Sequence, residues 1–412
     1  MALDSFFLDR RRVLLGLGAA ALTPACGSAE ISVNARISAG AGSGPLVPAK
    51  PESVGMRAEG IARVFAEIDA RVKDGRIPGV TAMICRRGKI VGEHAAGTCV
   101  RGAQEPVSMD TMFDMMSITK VMSTAISAMV LVDQGKLRLE DPVVKHLPRF
   151  TGKGKERVTV RQMLTYSAGL PFDNNMFDGP VEKIWEHMAE TNLEYEPDTK
   201  VQYSDLTYRL LGKLLENVAQ KNLGDFAREN IWTPLGMTST MYAPPAALRG
   251  RTAATAPSER RKEVLRGVLQ DDQDVVVGGV VGCDGVFSTA RDTAVLGQMM
   301  LDGGIYDGKR ILSAGIAADM VKNQSPFADV GKNDTSNLMN LIGTPKGYGW
   351  ELATPRFSNG GTRLSANAFG KVGGAGTFLW IDPPRQIVAT RGRRLLGRPR
   401  LPSPRHGLLF RS

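Results

Sequence analysis

The sequence predicts an α+β fold, with one antiparallel sheet built from both chain ends, flanking helices, and a mainly helical second region between the two sets of strands. Three observations predict it. Runs with strand character lie at residues 80–95 and again at 348–390. Apolar residues between these runs recur with a helical period. The composition, 42% hydrophobic and 23% charged over 412 residues, is close to the globular average and sufficient for a large buried core.

The elements follow in chain order. Residues 1–26 carry Arg10-Arg11-Arg12 ahead of an apolar run at 15–22, which reads as a twin-arginine-type export signal. A short surface helix is the alternative. The run is well short of the ~20 residues of a bilayer-spanning helix, and no later stretch is both long and uncharged enough to span. Thr23-Pro24-Ala25-Cys26 is similar to a lipoprotein cleavage box, with Thr where Leu is usual, so either Cys26 becomes a membrane tether or ordinary cleavage occurs nearby. The expected location is the periplasm or cell envelope. Residues 27–50, rich in Ser, Gly, Ala and Pro, read as a flexible linker.

Residues 51–390 form the expected domain. Ile61, Val64, Phe65, Ile68 and Val72 predict a helix over 58–72, stopped by Gly75 and Pro78-Gly79. Strands at 80–85 and 89–95 flank Arg86-Arg87-Gly88, a hairpin. A long helix over 117–134 closes at Gly135, and further helices are expected at 160–166, 207–218, 223–229 and 290–301. Strands return at 348–352, 377–381 and 386–390. Residues 391–412 hold seven Arg and no acid and offer no apolar helix face, so the expectation is either a disordered basic tail or an end displaced in reading frame or truncated, which would leave an edge of the sheet uncovered.

The formal charge of +10 is a property of the ends. The tail and the net +1 of residues 1–26 account for eight of the ten charges, leaving about +2 for the body, which gives no footprint for nucleic acid. Cys85, Cys99 and Cys283 match no zinc spacing and read as buried thiols.

Several chemistries are missing from the text of the chain. It has no G-x-S-x-G, no H-E-x-x-H, no P-loop and no strand-bound G-x-G-x-x-G. None of its four histidines stands in a catalytic context, so a Ser-His-Asp mechanism lacks a base, and nothing calls for a metal or cofactor. What remains is Ser117-Ile118-Thr119-Lys120, at the start of the predicted long helix. Three-residue spacing stacks Ser and Lys on one face, where the lysine favours deprotonation of the hydroxyl and the helix N-terminus stabilises negative charge. A lone S-x-x-K is common by chance, and Ser117 as a simple N-cap is the alternative. Tyr203 has Asp205 two residues on, and a tyrosine near lysines can have its pKa lowered and serve as a base. Lys371-Val372-Gly373 precedes a predicted strand, where small residues let a substrate approach the backbone.

In this order, Ser117-x-x-Lys120, Tyr203-x-Asp205 and Lys371-x-Gly373 resemble the penicillin-recognising serine hydrolases: class C β-lactamases, DD-peptidases and family VIII carboxylesterases. The surrounding text is similar too. Residues 113–120 resemble the nucleophile segment, residues 137–148 the segment after its helix, and residues 159–170 the "T-[IV]-R-x-L-L-T-H-x-S-G-L" run. Gly285-Val286-Phe287-Ser288-Thr289, Gly347-Tyr348-Gly349-Trp350 and residues 376–383 also match.

The resemblance, over roughly 52–390, implies a β-lactamase/transpeptidase-like fold and an acyl-serine mechanism without metal or cofactor. Ser117 is then the nucleophile, Lys120 its activating partner and Tyr203 the base that later protonates the leaving group. Lys371 either holds Tyr203 reactive or binds an anionic part of the substrate. The oxyanion hole falls to the N–H groups of Ser117 and Gly374, with Asp205, Gly373, Gly374 and Trp350 around a small ester or amide substrate. Asp205 departs from the Asn of class C lactamases, and a carboxylate cannot donate to an acylamido carbonyl. That favours a carboxylesterase. A β-lactamase or DD-/D-amino-acid peptidase is the second expectation, supported by Lys371, and a non-catalytic envelope binding protein the third.

Overall fold

The structure is a computed structural model that describes residues 44–172, 179–258, 260–326, 345–354 and 358–393. The expected signal segment, Cys26, most of the linker and residues 394–412 of the expected tail lie outside the described residues.

The strands are β1 (Val47–Pro48), β2 (Gly79–Arg86), β3 (Lys89–Gly97), β4 (Phe113–Asp114), β5 (Met241–Tyr242), β6 (Val286–Ser288), β7 (Ile305–Tyr306), β8 (Lys309–Arg310), β9 (Glu351–Leu352), β10 (Phe369–Val372), β11 (Phe378–Asp382) and β12 (Ile387–Arg393). Seven form one sheet in the order β1-β3-β2-β12-β11-β10-β9, antiparallel except for the parallel β1–β3 pair. Both chain ends build it, as expected. Its β2–β3 hairpin turns through Arg87 and Gly88, at φ 51° and 71°, the two left-handed residues of a tight turn matched to strand twist.

Helix Ala58–Lys73 covers one face of the sheet through Ile61 and Phe65, which pack with Val91 of β3. Helix Ala290–Leu301 covers the other. Gly297 permits its close approach: a Cβ there would stand 2.6 Å from Val388 Cγ1. The helix expected over 117–134 is continuous but changes pitch, from a 3₁₀ turn Met116–Ile118, through a π turn Lys120–Ala125, to the α-helix Ile126–Asp133. The segment Met116–Asp133 also has the length and apolarity of a spanning helix, against expectation. Most of it is buried inside the protein, where it packs in the main core.

Two sequence expectations need correction. Residues 391–393 are not tail. β12 runs to Arg393, because Arg391, Gly392 and Arg393 continue the ladder opposite Ala82, Thr81 and Val80. Gly392 lets the strand pass Phe113, Arg391 Nε donates to Gly376 O at 2.8 Å, and its guanidinium lies 5.5 Å from the Phe378 ring centroid. Among the described residues β12 is interior to the sheet and the edges are β1 and β9, so the uncovered edge does not lie at β12. Lys371 lies within β10 and, as expected, ahead of the strand β11, and the β4–β6–β5 sheet had no sequence signal. Cys85, Cys99 and Cys283 are buried and form no disulfide.

Candidate active site

Ser117 is aimed by the residues before it. Met115 N donates to Val286 O, which ties the nucleophile segment to β6 at 2.8 Å. Met116 takes φ 50°, a left-handed conformation costly for a side chain with a Cβ. Asp114 Oδ1 holds it there by accepting from Met116 N at 2.9 Å. Ser117 makes no helix cap. Its Oγ instead accepts from Lys120 Nζ at 3.1 Å and from Tyr203 OH at 2.6 Å.

Tyr203 sits just ahead of helix Asp205–Ala219. Ser204 caps that helix by accepting from Thr207 N at 3.0 Å, and its hydroxyl donates to Pro171 O at 2.6 Å. The cap fixes the backbone so that Tyr203 and Asp205 both face the nucleophile segment. Asp205 Oδ1 is 2.6 Å from Lys120 Nζ, a pair with the lysine end fully buried. Lys120 also donates to Cys283 O at 3.0 Å.

Charges set the protonation states here. Burial alone would lower the Lys120 pKa, but Asp205, with Tyr203 and Asp284 adding, outweighs it and holds the ammonium well above the usual lysine range. Burial likewise works to raise Asp205, and the cations of Lys120 and Arg209 overcome it and keep the carboxyl below its usual value. For Tyr203 burial wins over the pull of Lys120, and the phenol is raised well above its ordinary range. The sequence-based expectation of a lowered tyrosine pKa is therefore reversed: desolvation of a buried phenolate costs more than one neighbouring ammonium returns.

Lys371 Nζ lies over the Tyr203 ring, 4.7 Å from its centroid. Its Nζ donates to Tyr166 OH at 3.1 Å and pairs with Glu351 at 3.2 Å. Tyr166 stacks on Tyr203 on one side and on Tyr208 on the other, with centroids 5.1 and 4.8 Å apart. Burial, with Lys346 and Lys120 nearby, lowers Lys371 to about 8 despite Glu351.

After β10 the chain turns sharply. Gly373 N donates to Thr377 O at 3.0 Å, and Thr377 Oγ1 donates to Met115 O at 2.8 Å. Gly373 is required, because a Cβ would stand 2.4 Å from Met115 O. Gly374 follows beside Met116, bringing the expected oxyanion residues Ser117 and Gly374 onto adjoining segments.

Trp350 does not join this group. It is fully buried, meets Phe369 edge-on at 5.2 Å between centroids, and presents no face to a substrate. It packs in the main apolar core beside Phe369 of β10. Tyr166, Glu351, Lys346 and Asp284 were absent from the sequence-based site. Tyr166 stands where the quoted run has His, inside matched text, and Glu351 directly follows the matched segment that ends at Trp350. Asp274, Cys283 and Asp284 also converge, their ligand-type atoms within 4.8 Å of one another. Their charge faces Arg209, 2.5 Å from Asp274, and Lys120, 3.9 Å from Asp284.

A protein-family model described as Beta-lactamase matches residues 64–391. A protein of Escherichia coli K12 named "Putative D-alanyl-D-alanine carboxypeptidase" is 30% identical over 386 residues, covering 83% of this chain and 84% of that one. Among solved structures, a penicillin-binding protein homologue from Caulobacter crescentus superposes with a TM-score of 0.67 at 22% identity, over 85% of this chain and 93% of its own. A family VIII carboxylesterase superposes with a TM-score of 0.64 at 21% identity, over the same shares. These structural likenesses bear on the fold.

Proposed function

Because the chain belongs to the Beta-lactamase family, a family of hydrolases, we propose that it cleaves carboxylic esters through an acyl-serine intermediate on Ser117. One observation carries the proposal: a serine Oγ at a helix start receives hydrogen bonds from both Lys120 and Tyr203. In the mechanism we infer, Lys120 accepts the Ser117 proton once it has lost its own to solvent, and Oγ attacks the substrate carbonyl. The oxyanion forms against the N–H groups of Ser117 and Gly374. Tyr203, which rests protonated, gives its proton to the departing alkoxide and is reprotonated from Lys120. Water then attacks the acyl-serine with the same proton transfers reversed.

Two features favour an ester over a charged amide substrate. Asp205, held as a carboxylate by Lys120, can accept but not donate toward an acylamido carbonyl. Lys371 is fully buried and committed to Glu351 and Tyr166, which supports its holding Tyr203 rather than binding a substrate anion. The 30% identity to the Escherichia coli protein favours a second reading, D-alanyl-D-alanine carboxypeptidase activity. Parallel assays with p-nitrophenyl butyrate, a D-Ala-D-Ala peptide and a chromogenic cephalosporin separate them. Ester turnover lost in Ser117→Ala, with little turnover of the other two, is expected. A strong preference for the peptide overturns the ester assignment.

A further inference from the structure

The proposed mechanism leaves one buried titratable group beside the nucleophile unused, Asp284. Its Oδ1 is 3.9 Å from Lys120 Nζ and makes no hydrogen bond. The geometry explains why. Lys120 donates to Cys283 O at 3.0 Å and to Ser117 Oγ at 3.1 Å, and the carboxylate nearest its ammonium is Asp205, at 2.6 Å. Asp284 stands within Coulomb reach of Lys120 but beyond hydrogen-bond distance of it.

The charges around it are unequal. Asp284 is faced by Lys120 from the nucleophile helix, by Asp205 from helix Asp205–Ala219, and by Asp271 and Asp274 from the helix Asp272–Val276 and its cap. Its chain neighbour Cys283 donates its thiol proton to Asp274 at 3.0 Å. Arg209 serves Asp274 at 2.5 Å and Asp271 at 3.3 Å, while Lys120 serves Asp205. Among the described residues, Asp284 is the acid of this group left without a cation of its own. A buried carboxyl in that position keeps its proton. Burial first, then the neighbouring Asp205, Asp274 and Asp271, push its pKa well above the carboxylate range against the opposing pull of Lys120.

We propose that Asp284 is a positioning residue that sets the pH at which Ser117 becomes nucleophilic, by holding the first proton that the Ser117–Lys120–Asp205–Asp284 set gives up. This rests on Ser117 and Lys120 acting as nucleophile and base. As pH rises, the proton leaves Asp284 for solvent, and the new carboxylate 3.9 Å away stabilises the Lys120 ammonium. Only at higher pH does Lys120 become the neutral amine that can take the serine proton. Without the carboxyl, Lys120 itself releases the first proton.

The test is the rate at which a fluorophosphonate probe labels Ser117, followed from neutral to alkaline pH in the wild type, Asp284→Asn and Asp284→Ala. The rising limb should move to lower pH by about 1–3 units in either variant, the range for loss of an opposite charge at this separation. The infrared band of a protonated carboxyl, present in the wild type, should be missing from both. If one variant fails to fold, the other carries the comparison. Coincident limbs, a uniform loss of rate without a shift, or a band that persists in the variants overturns the proposal. If the wild type shows no labelling of Ser117 at any pH, Ser117 is not the nucleophile, and the infrared comparison alone decides whether Asp284 holds a proton.

Discussion

Tyr203 donates a 2.6 Å hydrogen bond to Ser117 Oγ from a ring packed against two other aromatic rings. Tyr166 stacks against one side at 5.1 Å, and Phe172 leans on it at 6.0 Å. The aim of the hydroxyl is thus set by packing of the ring, which does not change when the proton leaves.

Tyr203→Phe keeps that packing and removes only the proton donor. Turnover of p-nitrophenyl butyrate should fall by about 10²–10⁴, the usual share of general acid–base catalysis. The melting temperature should change little. Steady-state kinetics beside a thermal melt check both, and unchanged turnover would give the leaving group another proton source.

Asp205→Asn removes the carboxylate 2.6 Å from Lys120. With that opposite charge gone, the Lys120 pKa falls. Ester kcat/KM should drop about tenfold, equivalent to about 1.4 kcal/mol of transition-state stabilisation. Cephalosporin turnover should rise, since the new amide can donate to a substrate carbonyl. A wild type that already prefers the cephalosporin, and loses that activity in the variant, contradicts the ester proposal.

The parts of this site that were legible in the sequence are those carried by local text. Ser117-x-x-Lys120 is one helical turn, Tyr203 and Asp205 flank one helix cap, and Lys371 and Gly373 sit at one strand end. The strands at both chain ends were legible because their apolar runs are long enough to show a pattern. Asp284 was not, since its meaning depends on Lys120, Asp205 and Asp274, which meet only through packing. The protonation of Tyr203 was misjudged for a related reason: proximity to lysines is visible in a motif, whereas the depth of burial is not. Trp350 shows the opposite case, in which matched text placed a residue at the substrate and the fold places it in the main core.

Trp350→Ala tests that last correction. Emptying a fully buried indole site should cost about 3–5 kcal/mol of stability. KM for the ester, measured on the folded fraction at low temperature, should stay within about twofold. A large rise in KM with little loss of stability would return Trp350 to the substrate site.

Gly373→Ala should do the reverse. The added methyl would stand 2.2 Å from Thr377 Oγ1 and 2.4 Å from Met115 O, so the turn carrying Gly374 must shift. Loss of one oxyanion donor costs about 10²–10³ in kcat. Far-ultraviolet circular dichroism should remain that of the wild type, because the strain is confined to one loop. Full activity would exclude this turn from the oxyanion hole.

Lys371 gives a pH signature in stability rather than rate. Burial lowers its pKa from 10.5 to about 8, with Lys346 and Lys120 adding to the effect and Glu351 opposing it. Between those two values the unfolded chain binds more protons at this position than the folded one, so folding becomes more favourable as pH rises. Below about 8 both states carry the charge and the contribution is constant at its least favourable level. Compared with Lys371→Met, the wild type should therefore gain stability across this window, with a slope of up to about 1.4 kcal/mol per pH unit. Urea unfolding of both proteins at several pH values reads the difference and cancels groups common to the two. A slope of opposite sign would mean that Glu351 outweighs burial and holds the Lys371 proton more tightly in the folded protein than in water.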